Sequence, residues 1–410
     1  MPIARFVHYR QSPLVTTSTR SLIFAAKSVR TFSDGMMAIA IAQYADALGF
    51  SGLQAGAIAS AALVGTSVTT FLVGRYVERI GRRRLLTWGA LLTVASGFAY
   101  AGFSGFWPLL TVAFLGTANP TSGDVSAFLP VEQAILAQET TTRDRVSTFA
   151  RFNIFGSLAG AAGALASGST VLLEHIDGIG REDAVRVLFV LYGLLGFVTL
   201  LLVRRLQASA ELAPDAPRGG LDVSKKRVYT LSALFATDSF AGGMIVSSLI
   251  ALYLFRRFDL DPGTTGAVFF AASLLQTLSF IASARLANRF GMVRTMVFTH
   301  LPSNALLLGV AFSPAAPLAI AFLLARAILS QMDVPPRQAL VMSVVEPHER
   351  AAAASITGLS RSVSSSFGPS AGGALLGIAG GGPFAVCAVL KSTYDVGLFV
   401  LFRDVENREV

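Results

Sequence analysis

The chain has 410 residues, of which 53% are hydrophobic and only 14% are charged, and its mean hydropathy is +0.61. An ordinary soluble domain is about 25% charged, and its surface needs polar cover, so this composition excludes a soluble protein. The net charge of +9 raises nucleic-acid binding, but the arginines flank apolar segments and form no basic, aromatic-rich face, which argues against that class. Cys387 is the single cysteine and is predicted to pack in its apolar segment.

Apolar segments long enough to cross the hydrocarbon core, about 20 residues each, recur with short breaks at glycine, proline and charge clusters. No cleavable signal peptide is expected, because residues 1–20 lack an apolar core. We predict an all-α membrane protein with twelve transmembrane helices, called spans 1 to 12. Their ranges are 20–46, 52–73, 85–104, 107–136, 147–171, 185–203, 228–255, 264–284, 294–312, 316–344, 352–377 and 383–402.

Arginine and lysine residues predict the orientation, because cytoplasmic loops carry their excess. They cluster in the breaks after spans 2, 4, 6 and 8, whereas the breaks after spans 3, 9 and 11 carry no charge. Both termini are therefore expected in the cytoplasm, Trp107 at the outer interface, and the chain in the plasma (inner) membrane.

The sequence also repeats itself. A shift of 210 places "GRYVERIGRRR" (74–84) on "ARLANRFGMVR" (284–294), and small gaps align further segments. These are "RTFSDGM" (30–36) with "DSFAGGM" (238–244) and "LPVEQA" (129–134) with "VPPRQA" (334–339). The repeat predicts two pseudo-symmetric six-helix bundles, 1–205 and 228–410, joined by a cytoplasmic linker, 206–227. Parallel repeats of this kind occur in transporters, with the site between them near the membrane midplane.

The loop "GRYVERIGRRRLL" resembles the signature loop of the major facilitator superfamily, G-x-L-a-D-R-x-G-R-[RK], and the resemblance covers the whole chain. Glu78 stands where that pattern has aspartate, Tyr76 where it has leucine, and Asn288 replaces the acid in the second copy. The resemblance implies an ion-pair network that holds the halves together at the cytoplasmic mouth when the site faces outward. The alternative is that the arginines only set topology. The residues implied are Gly74, Glu78, Arg79, Gly81 and Arg82.

Ionisable residues inside spans are costly and indicate function. The resemblance implies a cavity lined by spans 1, 4, 7 and 10, flanked by spans 2, 5, 8 and 11. The candidates for this cavity are Arg30, Asp34, Asp124, Asp238, Arg326, Asp333 and Arg361. The simpler interpretation is that these charges neutralise one another: Arg30 with Asp34, Arg326 with Asp333, and Arg361 with Asp124 or Asp238. Buried pairs are weak evidence for stability, so their place in a cavity favours a protonation switch. Asp34 is the first candidate for proton coupling, because Arg30 lies beside it, and Asp238 is the second, because span 7 has no cation near it.

Two outlying features have simpler interpretations. Lys391 and Asp395 in span 12 are expected to pair one turn apart, with the lysine reaching toward the interface. Glycines around a proline in span 11 predict a hinge, and Pro335 and Pro336 predict a break in span 10. The hinge residues are Gly368, Pro369, Gly372 and Gly373.

The substrate stays open at this point. Three arginines could hold an organic anion, the aspartates with Met36, Met244, Met332 and His300 could hold a cation or metal, and the 30 phenylalanines could serve a lipophilic drug.

The predicted function is proton-coupled secondary active transport of a small solute by a monomer, with efflux by antiport favoured. A passive uniporter or an importer is the alternative, and a transport-dead membrane sensor is a remote one. No catalytic constellation, metal spacing or phosphate loop is found, so neither enzyme activity nor a cofactor is expected.

Overall fold

The computed structural model describes residues 13–121, 129–138, 145–176, 178–206, 221–346 and 349–403. Within these ranges the regular structure is entirely helical. The helices are α1 (Pro13–Ala47), α2 (Gly52–Ile80), α3 (Arg82–Gly102), α4 (Phe106–Leu115), α5 (Leu129–Gln138), α6 (Arg145–Ala166), α7 (Thr170–Leu173), α8 (Arg181–Arg204), α9 (Lys225–Gly243), α10 (Ser247–Phe258), α11 (Pro262–Phe290), α12 (Met292–Ala311), α13 (Ala316–Leu329), α14 (Val334–Ser343), α15 (Arg350–Ala379) and α16 (Gly382–Phe402).

The all-helical membrane fold is confirmed. Among the residues that the structure describes, seven helical stretches are long and apolar enough to cross a membrane by length and composition. Four further helices, α1, α11, α12 and α15, have 35, 29, 20 and 30 residues, and about 20 residues suffice to span the hydrocarbon core. Every predicted span contains at least one helix, in agreement with a twelve-span arrangement.

Spans 4 and 7, predicted as continuous, are interrupted. In span 4, α4 ends at Leu115, and the next residues turn through Asn119, whose Oδ1 accepts hydrogen bonds from the N–H and Oγ1 of Thr121 at 2.8 and 2.6 Å. Asparagine and the neighbouring Pro120 favour turns over helix interior. In span 7, α9 ends at Gly243 and α10 begins at Ser247, after a pair of glycines, which are poor helix formers.

The break in span 10 lies slightly before its predicted position. Helix α13 ends at Leu329 and α14 begins at Val334, with proline in its first turn. Proline fits there because the first helical N–H groups have no intrahelical partner. In the break, Ser283 Oγ donates to the Met332 carbonyl at 2.5 Å. Helices α5 and α14 have 10 residues each and begin at aligned positions of the repeat.

Equivalent glycines join consecutive helices in the two halves. Gly81 connects α2 to α3 with φ of 91°, and Gly291 connects α11 to α12 with φ of 92°. Their ψ values of 145° and 161° complete a conformation that glycine alone adopts readily. The two halves therefore share a backbone geometry here as well as a charge pattern.

We expect Gly81→Ala to lower the free energy of unfolding by about 1–3 kcal/mol, because a Cβ strains this conformation. Gly102→Ala, at the other end of α3, is the matched control, because an added Cβ there meets open space. Unfolding of both purified variants in detergent measures the difference. Equal stability of the two variants would contradict the assigned strain.

The two halves meet along α2 with α15 and along α6 with α11. A Cβ on Gly56 would lie 2.2 Å from the carbonyl oxygen of Pro369, and one on Gly373 would lie 2.1 Å from that of Gly52. On another side of α15, a Cβ on Gly372 would lie 2.2 Å from the carbonyl oxygen of Met244, at the end of α9. These residues serve close backbone contact, and bending of α15 at Gly368 and Pro369 remains a prediction.

Candidate functional site

The buried charges of the N-terminal half gather around Arg30 on α1. Its Nη2 and Nε approach the two carboxylate oxygens of Glu132 on α5 at 2.5 and 3.3 Å, and its Nη1 lies 3.8 Å from Asp34 Oδ2. Asp34 and Glu132 are 3% and 4% exposed. The guanidinium of Arg30 thus contacts two carboxylates. The contact to Glu132 has two hydrogen bonds, which is the stronger geometry, so Asp34 is the more weakly bound of the two.

A small cavity of about 40 Å³ adjoins these charges. Helices α1, α2, α3, α5 and α8 all contribute to its wall. Besides the three charged groups it is lined mainly by hydroxyl groups: Ser33, Thr66, Thr69, Thr93, Thr117, Thr199 and Tyr192. Hydroxyl groups both donate and accept hydrogen bonds, so this wall can hold water next to Asp34.

The C-terminal half holds a larger buried cluster around Asp238 on α9. Lys391 Nζ on α16 lies 2.6 Å from Asp238 Oδ1, and Arg337 Nη1 on α14 lies 3.3 Å from Asp238 Oδ2. The same Arg337 nitrogen lies 2.9 Å from Asp333 Oδ2. All four residues are at most 7% exposed. Asp238 is therefore neutralised from two other helices, although span 7 itself offers no cation.

The two clusters are related by the repeat with their charges reversed. Arg30 aligns with Asp238, and Glu132 aligns with Arg337, in the segments that repeat across the two halves. The structure joins each pair: Arg30 with Glu132, and Arg337 with Asp238. The first and fourth spans of each half thus share one buried ion pair whose polarity is opposite in the two halves.

Two of the pairings weighed from the sequence are corrected, and that of Arg361 is tested only in part. Asp333 pairs with Arg337 and not with Arg326, because residues four apart share a helix face and the break before α14 moves Arg326 onto another helix. Arg361 donates from Nε to Ser239 Oγ at 3.2 Å, and it has no carboxylate within 4 Å among the described residues. Asp124, its other expected partner, lies outside the described residues.

The second correction concerns span 12. Lys391 turns to Asp238, whereas Asp395 accepts hydrogen bonds from His300 Nδ1 at 2.9 Å and Asn304 Nδ2 at 2.8 Å, both on α12. The two residues face different neighbouring helices and do not pair with each other. Sequence spacing can show that Lys391 and Asp395 share a helix face, but it cannot show which residues of other helices they contact.

The signature loop between α2 and α3 is described only in part. Gly74 and Glu78 belong to α2, but their contacts lie outside the described part of the chain. Arg79 is exposed at the end of α2, and Arg82 is buried at the start of α3. A network at this loop therefore remains a prediction.

The metal alternative gains no support. The part of the chain that the structure describes holds no group of three or more His, Cys, Asp or Glu residues that could bind an ion. Met36 and Met244 pack in hydrophobic clusters, and Cys387 is buried in the latter, as predicted.

An ion-pair cluster closes the end of the molecule that the charge pattern predicts to be extracellular. Arg256 at the end of α10 approaches Asp46 Oδ1 from Nε at 3.1 Å and donates from Nη2 to the Phe50 carbonyl at 2.6 Å. Arg181 lies 3.1 Å from the other Asp46 oxygen. Arg256 belongs to one half and its partners to the other, so the halves are joined at this end.

We expect Arg256→Gln to raise the ratio of the conformation open at this end to the closed one by about 1.4- to fivefold, since partly exposed pairs contribute about 0.2–1 kcal/mol. Distances between spin labels at Leu53→Cys and Asp259→Cys would report the shift. The control is Arg257→Gln, which removes an exposed neighbouring arginine. A shift of the same size in both variants would contradict the assignment of this gate to Arg256.

At the opposite end, Glu349 fixes the start of α9. Its carboxylate accepts hydrogen bonds from the backbone N–H groups of Asp222, Val223 and Ser224. Hydrogen bonds from Ser224 and from this backbone lower the pKa of Glu349 to about 2. The end of the linker is therefore tied to the loop that precedes α15.

Comparison with known proteins is consistent with this architecture. The model of the Major Facilitator Superfamily matches residues 23–369 and 231–409. An uncharacterized membrane protein of Saccharomyces cerevisiae, YJR124C, is 25% identical over 85% of this chain and 86% of its own. The crystal structure of the nucleoside transporter NupG has a TM-score of 0.69 at 14% identity, covering 95% of this chain and 99% of its own. That of a D-xylose–proton symporter has a TM-score of 0.71 at 14% identity, covering 95% and 98%.

Proposed function

This chain belongs to the major facilitator superfamily of membrane transporters, and we propose that it couples solute transport to protons through Asp34. The observation that carries the proposal is the sharing of Arg30 between Glu132 and Asp34. Asp34 lies 3.8 Å from Arg30 Nη1, and that nitrogen has no hydrogen-bond partner among the described residues, so protonation of Asp34 breaks no short hydrogen bond to Arg30. Buried carboxylates placed like this serve as proton carriers in transporters.

Conformational change can control this proton. The other charged groups near Asp34 are Lys27 on its own helix and Glu132 on α5, and Tyr192 of α8 faces it across the cavity. If Arg30 moves toward Asp34, the ionised carboxylate gains a charge-assisted hydrogen bond. If Arg30 stays with Glu132, Asp34 can keep a proton. Rocking of the two halves would thereby alternate between proton binding and release.

Export in exchange for protons remains the direction expected from the sequence, and a passive uniporter remains the alternative. Proteoliposomes that contain a pH-sensitive dye would test the coupling. The expected result is a change of internal pH when a transported solute is added, with the sign of the change separating antiport from symport. Solute movement of equal rate after the proton gradient is collapsed would instead identify a uniporter.

A further inference from the structure

The buried cluster of the C-terminal half carries more positive than negative charge. Four cationic groups, from Arg326, Arg337, Arg361 and Lys391, surround the two carboxylates of Asp238 and Asp333. The contacts within 4 Å use both carboxylates on Arg337 and Lys391. Among the described residues this leaves two positive charges, on Arg326 and Arg361, without an acidic partner.

Both arginines are partly withdrawn from water. Arg326 Nε is buried and has no hydrogen-bond partner, and so is the hydroxyl of Ser330, one turn further along the chain. Arg361 donates from Nε to Ser239 Oγ at 3.2 Å, and a ligand would contact its two terminal nitrogens. A charge withdrawn from water without a counter-ion raises the free energy of the folded chain. A bound ligand of opposite charge would lower it again.

The two arginines belong to one electrostatic site. Arg326 lies on α13 and Arg361 on α15, yet both interact with Asp238 and Asp333. Arg361 also adjoins the contact between the two halves, since Ser362 beside it accepts a hydrogen bond from Ser67 of α2 at 3.5 Å. A ligand at these arginines would therefore lie next to the surface across which the halves move.

We propose that the surplus charge of Arg326 and Arg361 forms the substrate site, and that it takes a small organic dianion with carboxylate or phosphate oxygens. The planar guanidinium fork matches both groups and binds them through two parallel hydrogen bonds. Two surplus charges match a dicarboxylate or a phosphate monoester better than a neutral or cationic solute. This inference rests on the proposed transport function.

Calorimetric titration of the full chain in lipid nanodiscs would test the site with succinate and glycerol 3-phosphate as probes, and with succinamide as the uncharged analogue of succinate. We expect binding of at least one anion and no binding of succinamide. Arg326→Gln and Arg361→Gln should each weaken anion binding by about 10- to 100-fold, the range of charged hydrogen bonds. Arg257→Gln, which removes an exposed arginine of the same half, should leave binding unchanged within about twofold.

Melting temperatures without ligand separate a binding role from a structural one. Removing a partly buried cation that has no acidic partner should leave the melting temperature unchanged or raised. Arg337→Gln should lower it, because it leaves Asp333 without its cation and Asp238 with Lys391 alone. If Arg326→Gln and Arg361→Gln lower it as much as Arg337→Gln does, both arginines have structural counter-ions and the proposal is overturned. Binding of succinamide as tight as that of succinate would also overturn it.

The same preparations distinguish the failure of this inference from the failure of proton coupling. If neither anion binds, but a neutral or cationic solute drives proton movement in proteoliposomes, the anion site is wrong and proton-coupled transport stands. If an anion binds through both arginines and exchanges across the membrane without proton movement, the site stands and the coupling through Asp34 fails.

Discussion

Asp34→Asn is expected to abolish accumulation of solute against its gradient while leaving exchange of solute across the membrane within about threefold of the original rate. Asparagine keeps the shape of the side chain but cannot carry a proton. The fork between Arg30 and Glu132 does not involve this residue, so the fold should persist. A gradient of two pH units can sustain about 100-fold accumulation for each coupled proton, since one unit corresponds to about 1.4 kcal/mol, and this factor should fall to one.

Uptake into proteoliposomes with and without an imposed pH gradient measures both quantities on one preparation. Asp259→Asn is the matched control, because Asp259 is exposed and has φ of 52°, a conformation that asparagine tolerates. If the Asp34 variant still accumulates solute, the coupling carboxylate lies elsewhere, and Asp238 is the next candidate. Loss of both accumulation and exchange would assign Asp34 a structural or substrate-binding role instead.

The membrane architecture can be predicted because it depends on properties that each segment carries alone. Length, apolar character and flanking arginines decide whether a helix spans a bilayer, and the repeat at Gly81 and Gly291 is visible as matching letters. Interruptions are harder to predict. Gly116 and Pro120 mark the end of α4, but apolar residues on both sides of that turn suggest one continuous span.

The partners of the buried charges cannot be read from single helices. Spacing pairs Arg30 with Asp34, whereas its closest carboxylate belongs to Glu132, 102 residues away. One available signal is the repeat itself. It aligns Arg30 with Asp238 and Glu132 with Arg337, two pairs of opposite charge, and equivalent helices of the two halves should bring each pair together. Lys391 has no such signal, because its contact joins span 12 to span 7.

A second large effect is expected when one member of the Asp238–Lys391 pair is removed. Both groups are buried and their atoms lie 2.6 Å apart. Breaking a buried pair leaves an uncompensated charge and costs about 3–5 kcal/mol. We expect Lys391→Met to lower the free energy of unfolding by this amount, measured by denaturation in mixed micelles. Lys225→Met provides the control, because its pair with Asp222 is exposed and should contribute less than about 1 kcal/mol.

The double variant Asp238→Asn with Lys391→Met decides what this pair is for. It removes both charges together, so most of the lost stability should return, although Arg337 keeps only Asp333 as its acidic partner. A double variant no more stable than Lys391→Met alone would contradict the pairing. If the double variant folds and still transports, Asp238 serves the structure and ceases to be a candidate for proton coupling. If it folds without transporting, the buried pair takes part in the transport cycle. Lys391 would then be required for transport, although its helix lies outside the expected cavity lining.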